Sequence, residues 1–400
     1  MTQLPDAFIH AIPKTDLHVH LDGSLRLDTL VELAATRGVE LPATDEAGLR
    51  REVFRDHYAN LGEYLHGFKY TCAVLRDPEA LERVAFELAE DAFREGVRYM
   101  EVRFAPQLNV TDDMDIEATL VAVTHGLRRA EALYNQAPAV VDGTEPPFRC
   151  GIIVCAMRFF TAGFSPFFAR YVETHAYRDL KEVIVLASED LARAAVALRD
   201  RLGLPIVGFD LAGQEDGYPA APHKAAYAYA HRHFLSRTVH AGEAFGPESI
   251  FQAITHLHAD RIGHGFHIFS DDLVTSPDVA DPVAYCAALA QYIADRRITI
   301  EVCLTSNLQT NPEIGTIERH TFGRMLAAQM SVALCTDNRL VSNTTVSKEV
   351  RLACDAFGLD VVQLRNICAY GFKRSFFPGT YLEKRQYVRK VLAMYDRVAR

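Results

Sequence analysis

The chain repeats one pattern eight times: a short apolar run rich in β-branched residues, followed by a segment of helix length. The runs lie at 15–20, 98–104, 149–157, 206–210, 237–240, 261–264, 299–303 and 332–336. Strands that alternate with helices form parallel sheets, because each helix carries the chain back to the edge where the next strand starts. Eight such units predict an α/β fold, the (β/α)8 TIM barrel, in preference to an open sheet.

The segments between and after the strands complete this prediction. Helices are expected over 27–37, 78–95, 116–134, 191–202, 224–234, 248–258 and 283–296. Residues 38–75 form an insertion after the first βα unit, and residues 358–400 form a polar helical extension on the outside of the barrel. The stretch 135–147 contains three prolines and one glycine, which is typical of a surface loop. No internal sequence repeat, low-complexity tract or linker divides the chain, so we predict a single domain over 1–400.

The composition favours an enzyme with a substantial core over a nucleic-acid or membrane protein. Apolar residues make up 49% of the chain and charged residues 24%, and the net charge is −10. This charge disfavours non-specific binding to nucleic acid, which needs a basic surface. No signal peptide and no apolar run of membrane-spanning length is apparent, so we expect a cytoplasmic protein. The eight scattered cysteines predict reduced, mostly buried thiols.

A pair of histidines, His18 and His20, marks the end of the first predicted strand. Residues i and i+2 of a strand point to the same side, so the run Leu-His-Val-His presents two imidazoles together. Neutral imidazole is a common zinc ligand. Taken alone, the pair fits either half of a metal site or two histidines packed at a strand end.

Further polar residues follow later strands at the corresponding position. The fifth predicted strand ends in VHAGE, with His240 and Glu243; the sixth ends in RIGHG, with His264; and the eighth ends in CTDN, with Asp337. The functional residues of α/β barrels collect at the carboxyl ends of the strands. We therefore expect these four residues to converge with the histidine pair at one end of the barrel.

Chemistry suggests a role for each residue of this set. His18, His20, His240 and Asp337 offer nitrogen and oxygen ligands suited to Zn²⁺ with one position left for water, whose pKa the metal lowers from 15.7 towards ~7. Glu243 is placed to act as general acid or base, and His264 to orient or deprotonate the water. The fourth strand end has no lysine to bridge two metals, which favours one zinc ion. The cytidine-deaminase zinc signature is absent.

Seven motifs together resemble the adenosine deaminase family of the amidohydrolase superfamily. In chain order they are PKTDLHVHLDGSL, EGVRYMEVRFAPQ, FDLAGQE, VHAGE, RIGHG, EVCLTSN and LCTDN, and they span nearly the whole sequence. The resemblance implies a barrel with one catalytic Zn²⁺ held by His18, His20, His240 and Asp337. It implies that Glu243 protonates N1 of a purine, that His264 positions the hydroxide that attacks C6, and that ammonia leaves.

The resemblance also implies which residues bind the substrate. The backbone N–H of Gly213 would contact N3 of the purine, and His20 and Asp22 the ribose hydroxyls. Leu61, Tyr64 and Phe68, which lie at helical spacing in the insertion, match the apolar lid of the family. The spacing alone favours packing in the core over a lid above the pocket.

Two positions depart from the family pattern, and one of them bears on the purine. Asn338 stands where most members have aspartate, and its amide can still donate a hydrogen bond to N7. Leu304 stands where a proline usually follows the cysteine of EVC. We expect a small-molecule purine nucleoside as the substrate; the sequence leaves open whether the protein is a monomer or a homodimer.

The exact substrate stays open between several 6-aminopurines. Asp22 favours adenosine and 2′-deoxyadenosine, whereas adenine, aminodeoxyfutalosine and 6-substituted AMP are the alternatives. A phosphorylated substrate would need a cation at the mouth of the site, for which Arg26, Arg158 and Arg339 are the candidates. An amide or ester hydrolase, or a binding protein that has lost catalysis, would be the competing functions.

Overall fold

The computed structural model describes residues 4–400 and contains eight strands that pair in the order β1 to β8, each parallel to the next. They are β1 (Lys14–His20), β2 (Val97–Phe104), β3 (Arg149–Met157), β4 (Ile206–Ala212), β5 (Ser236–Ala241), β6 (Arg261–His264), β7 (Thr299–Val302) and β8 (Val332–Leu334). A bridge between Val19 and Asp337 joins the first strand to the chain after the last. The sheet thus closes into the predicted TIM barrel.

Helices surround the barrel and fill the connections between strands. They are α1 (Asp6–Ala11), α2 (Leu27–Arg37), α3 (Glu46–Glu52), α4 (Leu61–Tyr64), α5 (Phe68–Val74), α6 (Pro78–Arg94), α7 (Ile116–Tyr134), α8 (Pro138–Val141), α9 (Pro166–Thr174), α10 (Leu180–Leu202), α11 (Lys224–Arg232), α12 (Pro247–Thr255), α13 (Pro282–Arg296), α14 (Leu304–Thr310), α15 (Phe322–Ala327), α16 (Val346–Phe357), α17 (Val361–Arg374) and α18 (Tyr381–Val398).

The barrel helices begin and end for ordinary chemical reasons. At the start of α6 the side chain of Asp77 accepts a hydrogen bond from the backbone N–H of Ala80, and Pro78 occupies the first turn. At the end of α10, Gly203 adopts a left-handed conformation (φ 61°) that a side chain would disfavour. This helix starts at Leu180, well before the predicted residue 191, because Asp179 caps it and its apolar face continues towards the start.

The insertion after α2 is less regular than its sequence suggests. The structure divides it into α3, α4 and α5, with a 3₁₀ turn at Leu65–Gly67 between the last two, where one continuous helix would satisfy the spacing. Asn60 starts α4 by accepting a hydrogen bond from the N–H of Glu63. The insertion covers the carboxyl ends of the strands, so its apolar side chains line a cavity there.

The C-terminal extension has two parts with different positions. Helix α17 packs against β8 and β1, as the last helix of a barrel does. The hydroxyl of Tyr387, in α18, donates hydrogen bonds to the carbonyls of Arg98 and Pro147, which lie at the amino ends of β2 and β3. The extension therefore covers one end of the barrel in addition to its outside. The predicted loop at 135–147 contains the one-turn helix α8.

Two further predictions concern what the chain lacks. All eight cysteines are buried and none forms a disulfide. Within residues 4–400, none of the helices has both the length and the apolar character needed to pass through a membrane.

Candidate metal centre and active site

The four predicted metal ligands meet at the carboxyl ends of the strands. His18 and His20 end β1, His240 lies in β5, and Asp337 follows β8. The Nε2 atom of His240 lies 3.0 Å from Nε2 of His18 and 3.1 Å from Nε2 of His20. The Oδ1 atom of Asp337 lies 3.4 Å from the same atom of each β1 histidine.

These separations are of the size expected for atoms that share one zinc ion. Two ligand atoms that each lie 2.0–2.1 Å from a metal are about 3 Å apart or slightly more. A second group of donor atoms, from His18, His240, His264 and Asp337, lies within 4.8 Å of one another. The four predicted ligands and His264 therefore surround one point.

The proton positions on two of the histidines support a bound cation. Nδ1 of His18 donates to Oε2 of Glu301 at 2.8 Å, and Nδ1 of His240 lies 3.0 Å from Oδ2 of Asp210. A carboxylate can only accept, so a neutral His18 carries its hydrogen on Nδ1 and a lone pair on Nε2, and the carboxylate of Asp210 favours the same arrangement in His240. A cation between the two Nε2 atoms, which lie 3.0 Å apart, would pair with both lone pairs.

Directly beneath the histidines lies a second set of buried charges, each of which has an oppositely charged partner, although Nε of Arg103 has no hydrogen-bond partner among the described residues. Arg103 donates to Asp210 at 2.9 Å and to Glu301 at 2.8 Å, so one guanidinium joins the two carboxylates that orient His18 and His240. Arg261 continues the network by donating to Glu301 at 2.6 Å and to Glu101. All these charged side chains are almost completely buried.

Sequence reasoning did not identify this network. A signal for it exists, because charged residues interrupt apolar strands in EVRF, GFDLA and EVC. A charge inside a buried strand requires a partner. The sequence does not show which charges face one another across the barrel.

Glu243 stands beside the metal donors, on a loop that one carboxylate organises. The two oxygens of Glu215 accept hydrogen bonds from the backbone N–H groups of Gly242, Glu243, Ala244 and Phe245 at 2.8–3.1 Å. The Oε1 atom of Glu243 lies 3.5 Å from Nε2 of His264. Burial, and then the charge of Asp337, raises the pKa of Glu243 well above its usual value.

His264 and Asp337 share an unusual backbone. Their φ angles are 63° and 60°, in the left-handed region that costs a non-glycine residue about 1–2 kcal/mol. The side chain of Asp337 accepts a hydrogen bond from Oγ of Ser306 at 2.7 Å, and Nδ1 of His264 lies 3.1 Å from Nδ2 of Asn307. Strained residues that the surroundings hold in place are typical of active sites.

The donors open into a cavity of about 1260 Å³ between the strand ends and the insertion. The predicted site residues that line it are His20, Asp22, Leu61, Tyr64, Phe68, Gly213, His240, Glu243, His264, Asp337 and Asn338. His18, which is fully buried, lies behind them. The structure thus brings together every residue that the sequence assigned to the site.

Asn338 is held between the lid and the first strand. Its Nδ2 donates to the hydroxyl of Tyr64 at 2.9 Å, and this hydroxyl lies 2.7 Å from Oγ of Ser342. Its Oδ1 is buried without a hydrogen-bond donor and lies against Gly23, where a Cβ atom would overlap it. The amide nitrogen of Asn338 therefore faces Tyr64 of the lid, and the amide oxygen faces Gly23. Tyr64 contributes a hydroxyl to a lid that was predicted to be apolar.

Asp22 presents a buried carboxyl group to the same cavity. Its Oδ1 has no hydrogen-bond partner among the described residues, and its Oδ2 lies 3.9 Å from Sγ of Cys72. Burial raises the pKa of Asp22 to about 7. A ligand hydroxyl would supply the partner that the chain does not.

The three arginines considered for phosphate binding are engaged elsewhere. Arg26 pairs with Glu90 and Asp91 on the outer helices. Arg339 pairs with the buried acids Asp16 and Glu95. Arg158 donates to the backbone carbonyls of Tyr218 and His240, which fixes the end of β5. None of the three lines the cavity, so that part of the sequence interpretation was wrong.

Comparisons with known proteins agree with this geometry. A family profile described as "Adenosine deaminase" matches residues 13–179 and 174–393. An adenosine deaminase of Mycolicibacterium vanbaalenii is 38% identical over 371 residues, which cover 92% of this chain and 91% of that protein. An adenosine deaminase of Mycobacterium tuberculosis is 36% identical over 373 residues, covering 92% and 91%.

Solved structures share the fold at lower sequence identity. An amidohydrolase from Burkholderia ambifaria with bound zinc superposes with a TM-score of 0.75 at 21% identity, covering 100% of this chain and 95% of that one. An adenine deaminase from Arthrobacter aurescens gives 0.72 at 21%, covering 95% and 98%. The N6-methyl-AMP deaminase of Arabidopsis thaliana gives 0.72 at 24%, covering 97% and 98%.

Proposed function

The chain belongs to the adenosine deaminase family and is a zinc-dependent hydrolytic deaminase, and on that premise we propose that it converts adenosine and 2′-deoxyadenosine to their 6-oxo products. The reaction adds water at C6 of the purine and releases ammonia. The observation that carries the proposal is the buried carboxyl group of Glu243, which lies beside the metal donors, 3.5 Å from Nε2 of His264, and whose pKa burial raises well above its usual value. It is an acid placed where a ring nitrogen can accept a proton.

The residues divide the chemistry between them. In this proposal Zn²⁺, when bound by His18, His20, His240 and Asp337, acts as a Lewis acid that lowers the pKa of water to about 7. Glu243 gives its proton to N1, which makes C6 electrophilic. The carboxylate of Asp337 would accept a proton from the attacking water and pass it to the amino group, so that the C6–N6 bond breaks and ammonia leaves. The new hydroxyl on C6 then gives its proton back to Glu243 as the 6-oxo product forms.

The walls of the cavity supply contacts for the rest of the substrate. With N1 at Glu243, the Asn338 amide is the group available to donate to N7, and the backbone N–H of Gly213 to N3. Asp22 accepts a hydrogen bond from a ribose hydroxyl, assisted by His20. Leu61, Tyr64 and Phe68 close over the purine and exclude water.

A ribose is favoured because of Asp22. A carboxyl group that is buried without a partner costs free energy unless the ligand satisfies it, and adenine has no hydroxyl to do so. Arg26, Arg158 and Arg339 already have partners, but Arg55, Lys69 and Arg76 line the cavity, so the choice between a nucleoside and its phosphate is made by the substrate panel below. Asp22 thus favours a substrate that carries a ribose over free adenine.

Ammonia release from a panel of 6-aminopurines tests the proposal. The panel contains adenosine, 2′-deoxyadenosine, adenine, AMP, N6-methyl-AMP and aminodeoxyfutalosine. We expect kcat/KM for the two nucleosides to exceed that for adenine by at least about 100-fold, because a site built to bind a hydroxyl discriminates against an analogue that lacks it. Faster turnover of adenine or of a monophosphate would contradict the proposal and reassign the substrate.

A further inference from the structure

A row of buried hydrogen bonds leads to His264 from the loop before α15. The backbone N–H of Phe322 donates to Nδ1 of His320 at 3.0 Å. Nε2 of His320 lies 3.3 Å from Oδ1 of Asn307, whose Nδ2 lies 3.1 Å from Nδ1 of His264. The side chains of the three linked residues are fully or almost fully buried. The assigned chemistry uses only the last residue of this row.

The direction of every hydrogen in the row follows from its first member. A backbone N–H can only donate, so Nδ1 of His320 carries a lone pair. Burial lowers the pKa of His320 to about 3, so its ring is neutral and its single hydrogen is on Nε2. That hydrogen points to Oδ1 of Asn307, and the amide NH2 of Asn307 therefore faces His264.

At His264 the row fixes the tautomer. Because Nδ1 accepts from the Asn307 amide, the neutral ring carries its hydrogen on Nε2. This Nε2 atom is buried and has no hydrogen-bond acceptor among the described residues. It lies on the side of the ring that faces Glu243 and the cavity. His264 thus presents an unpaired Nε2–H towards the part of the cavity where water and the purine would meet.

We propose that Asn307 and His320 are positioning residues that hold His264 as the Nε2–H tautomer, so that His264 donates a hydrogen bond to the attacking water oxygen and does not deprotonate it. In this tautomer Nε2 has no lone pair with which to take a proton. The proton of the water passes instead to the carboxylate of Asp337. This inference rests on the proposed function, but the tautomer itself is independent of the substrate.

The substitution Asn307→Asp tests the tautomer directly. It preserves the shape of the side chain, but a carboxylate can only accept, so the hydrogen of His264 should move to Nδ1. Nitrogen NMR of protein labelled with ¹⁵N-histidine reports which ring nitrogen is protonated, and a His264→Gln variant assigns the signals. We expect Nε2–H in the wild type and Nδ1–H in Asn307→Asp, both with zinc and after its removal.

Activity then tests the role of the tautomer. With the lone pair of Nε2 turned towards the water oxygen, we expect kcat of Asn307→Asp to fall by at least about 100-fold at unchanged zinc content. His320→Phe should fall similarly, because Asn307 loses the donor that orients it. His320→Gln should recover most of the activity, since its amide NH2 can donate to Asn307.

Substitution of another buried histidine provides the control. His223 is buried, contacts Oγ of Ser188 at 2.8 Å, and does not line the cavity, so His223→Phe should leave kcat and the His264 signals unchanged. An unchanged His264 tautomer in both Asn307→Asp and His320→Phe would overturn the inference. A reversed tautomer with wild-type kcat would overturn the donor role. Failure to deaminate adenosine would refute only the proposed function, because the NMR result does not depend on it.

Discussion

The barrel holds two layers of buried polar groups that differ in how far they are satisfied. In the lower layer, each charge among Arg103, Arg261, Asp210 and Glu301 has an oppositely charged partner within 3.0 Å. In the upper layer, imidazole lone pairs face one another, and polar atoms of Asp22 and His264 have no partner. Two residues of that layer also have left-handed backbones.

The contrast suggests that the lower layer positions the site residues and that the upper layer carries out the chemistry. Unsatisfied groups are expensive to bury, so a metal and a substrate that complete the upper layer should bind with a gain in free energy. The ion pairs of the lower layer hold Glu301 and Asp210 in place. These two carboxylates in turn fix the orientation of His18 and His240. Substitutions in the upper layer should therefore reduce activity at little cost in stability, and those in the lower layer should reduce stability and zinc affinity together.

The largest effect is expected in the upper layer, for Glu243→Gln. The amide keeps the shape of the side chain but cannot supply a proton to N1, so kcat should fall by about 10²–10⁴-fold. Steady-state kinetics measure the loss. Metal analysis should show unchanged zinc content, and thermal unfolding should show a stability at least equal to that of wild type, because the raised pKa of Glu243 disfavours its charged form in the folded protein.

The control for Glu243→Gln makes the same change at the rim of the cavity. Glu52 lines the cavity but is exposed, and Glu52→Gln should keep kcat within a few fold of wild type. Near-normal turnover by Glu243→Gln would remove the acid from the mechanism.

In the lower layer, Arg103→Met should give the largest loss of stability. It leaves Asp210 without an arginine partner and Glu301 with Arg261 alone, and breaking a buried ion pair from one side costs about 3–5 kcal/mol. Because these carboxylates orient His18 and His240, zinc affinity should fall by about 10–100-fold. Denaturant unfolding and zinc titration against a competing chelator measure the two effects.

An exposed ion pair serves as the comparison for Arg103. Arg170 pairs with Asp112 on the surface, and Arg170→Met should cost no more than about 1 kcal/mol, without a change in zinc affinity. If Arg103→Met unfolded at the same denaturant concentration as Arg170→Met, the lower layer would not be the structural support inferred for it.

The two layers also differ in how well the sequence predicts them. His18, His20, His240 and Asp337 were predictable because they share one position, the carboxyl end of a strand, and the barrel brings such positions together. The partners Arg103 and Glu301 were not, because strand periodicity shows that they point inward but not which inward charges meet. Those pairings depend on the stagger of the closed barrel.

Irregular segments limited the prediction for a different reason. The lid residues have helical spacing, but the helix breaks at Leu65–Gly67, where packing over the cavity overrides propensity. His320 lies in a loop with no period, so nothing in the sequence relates it to Asn307 or His264. Only contacts reveal such residues.

Glu349 is an intermediate case, because its buried carboxyl group has hydrogen-bond donors but no oppositely charged partner. It is fully buried and accepts hydrogen bonds from the hydroxyl groups of Thr305 and Thr344, but none of the described residues forms an ion pair with it. Burial, only partly offset by these hydrogen bonds, raises its pKa to about 7 from 4.5. Hydrogen bonds alone therefore do not replace the opposite charges that the lower layer supplies.

The smallest effect is expected for Glu349→Gln, as a change in the pH dependence of stability. Between pH 4.5 and about 7 the folded wild type binds a proton that the unfolded chain releases, so this group makes the protein less stable as pH rises. The variant lacks this titration and should gain about 2 kcal/mol relative to wild type between pH 5.5 and 8. Denaturant unfolding at both pH values measures the gain, and the exposed substitution Glu46→Gln provides the control. An equal stability difference at both pH values would mean that Glu349 is ionised throughout, and that two hydroxyl groups stabilise its charge as well as an arginine would.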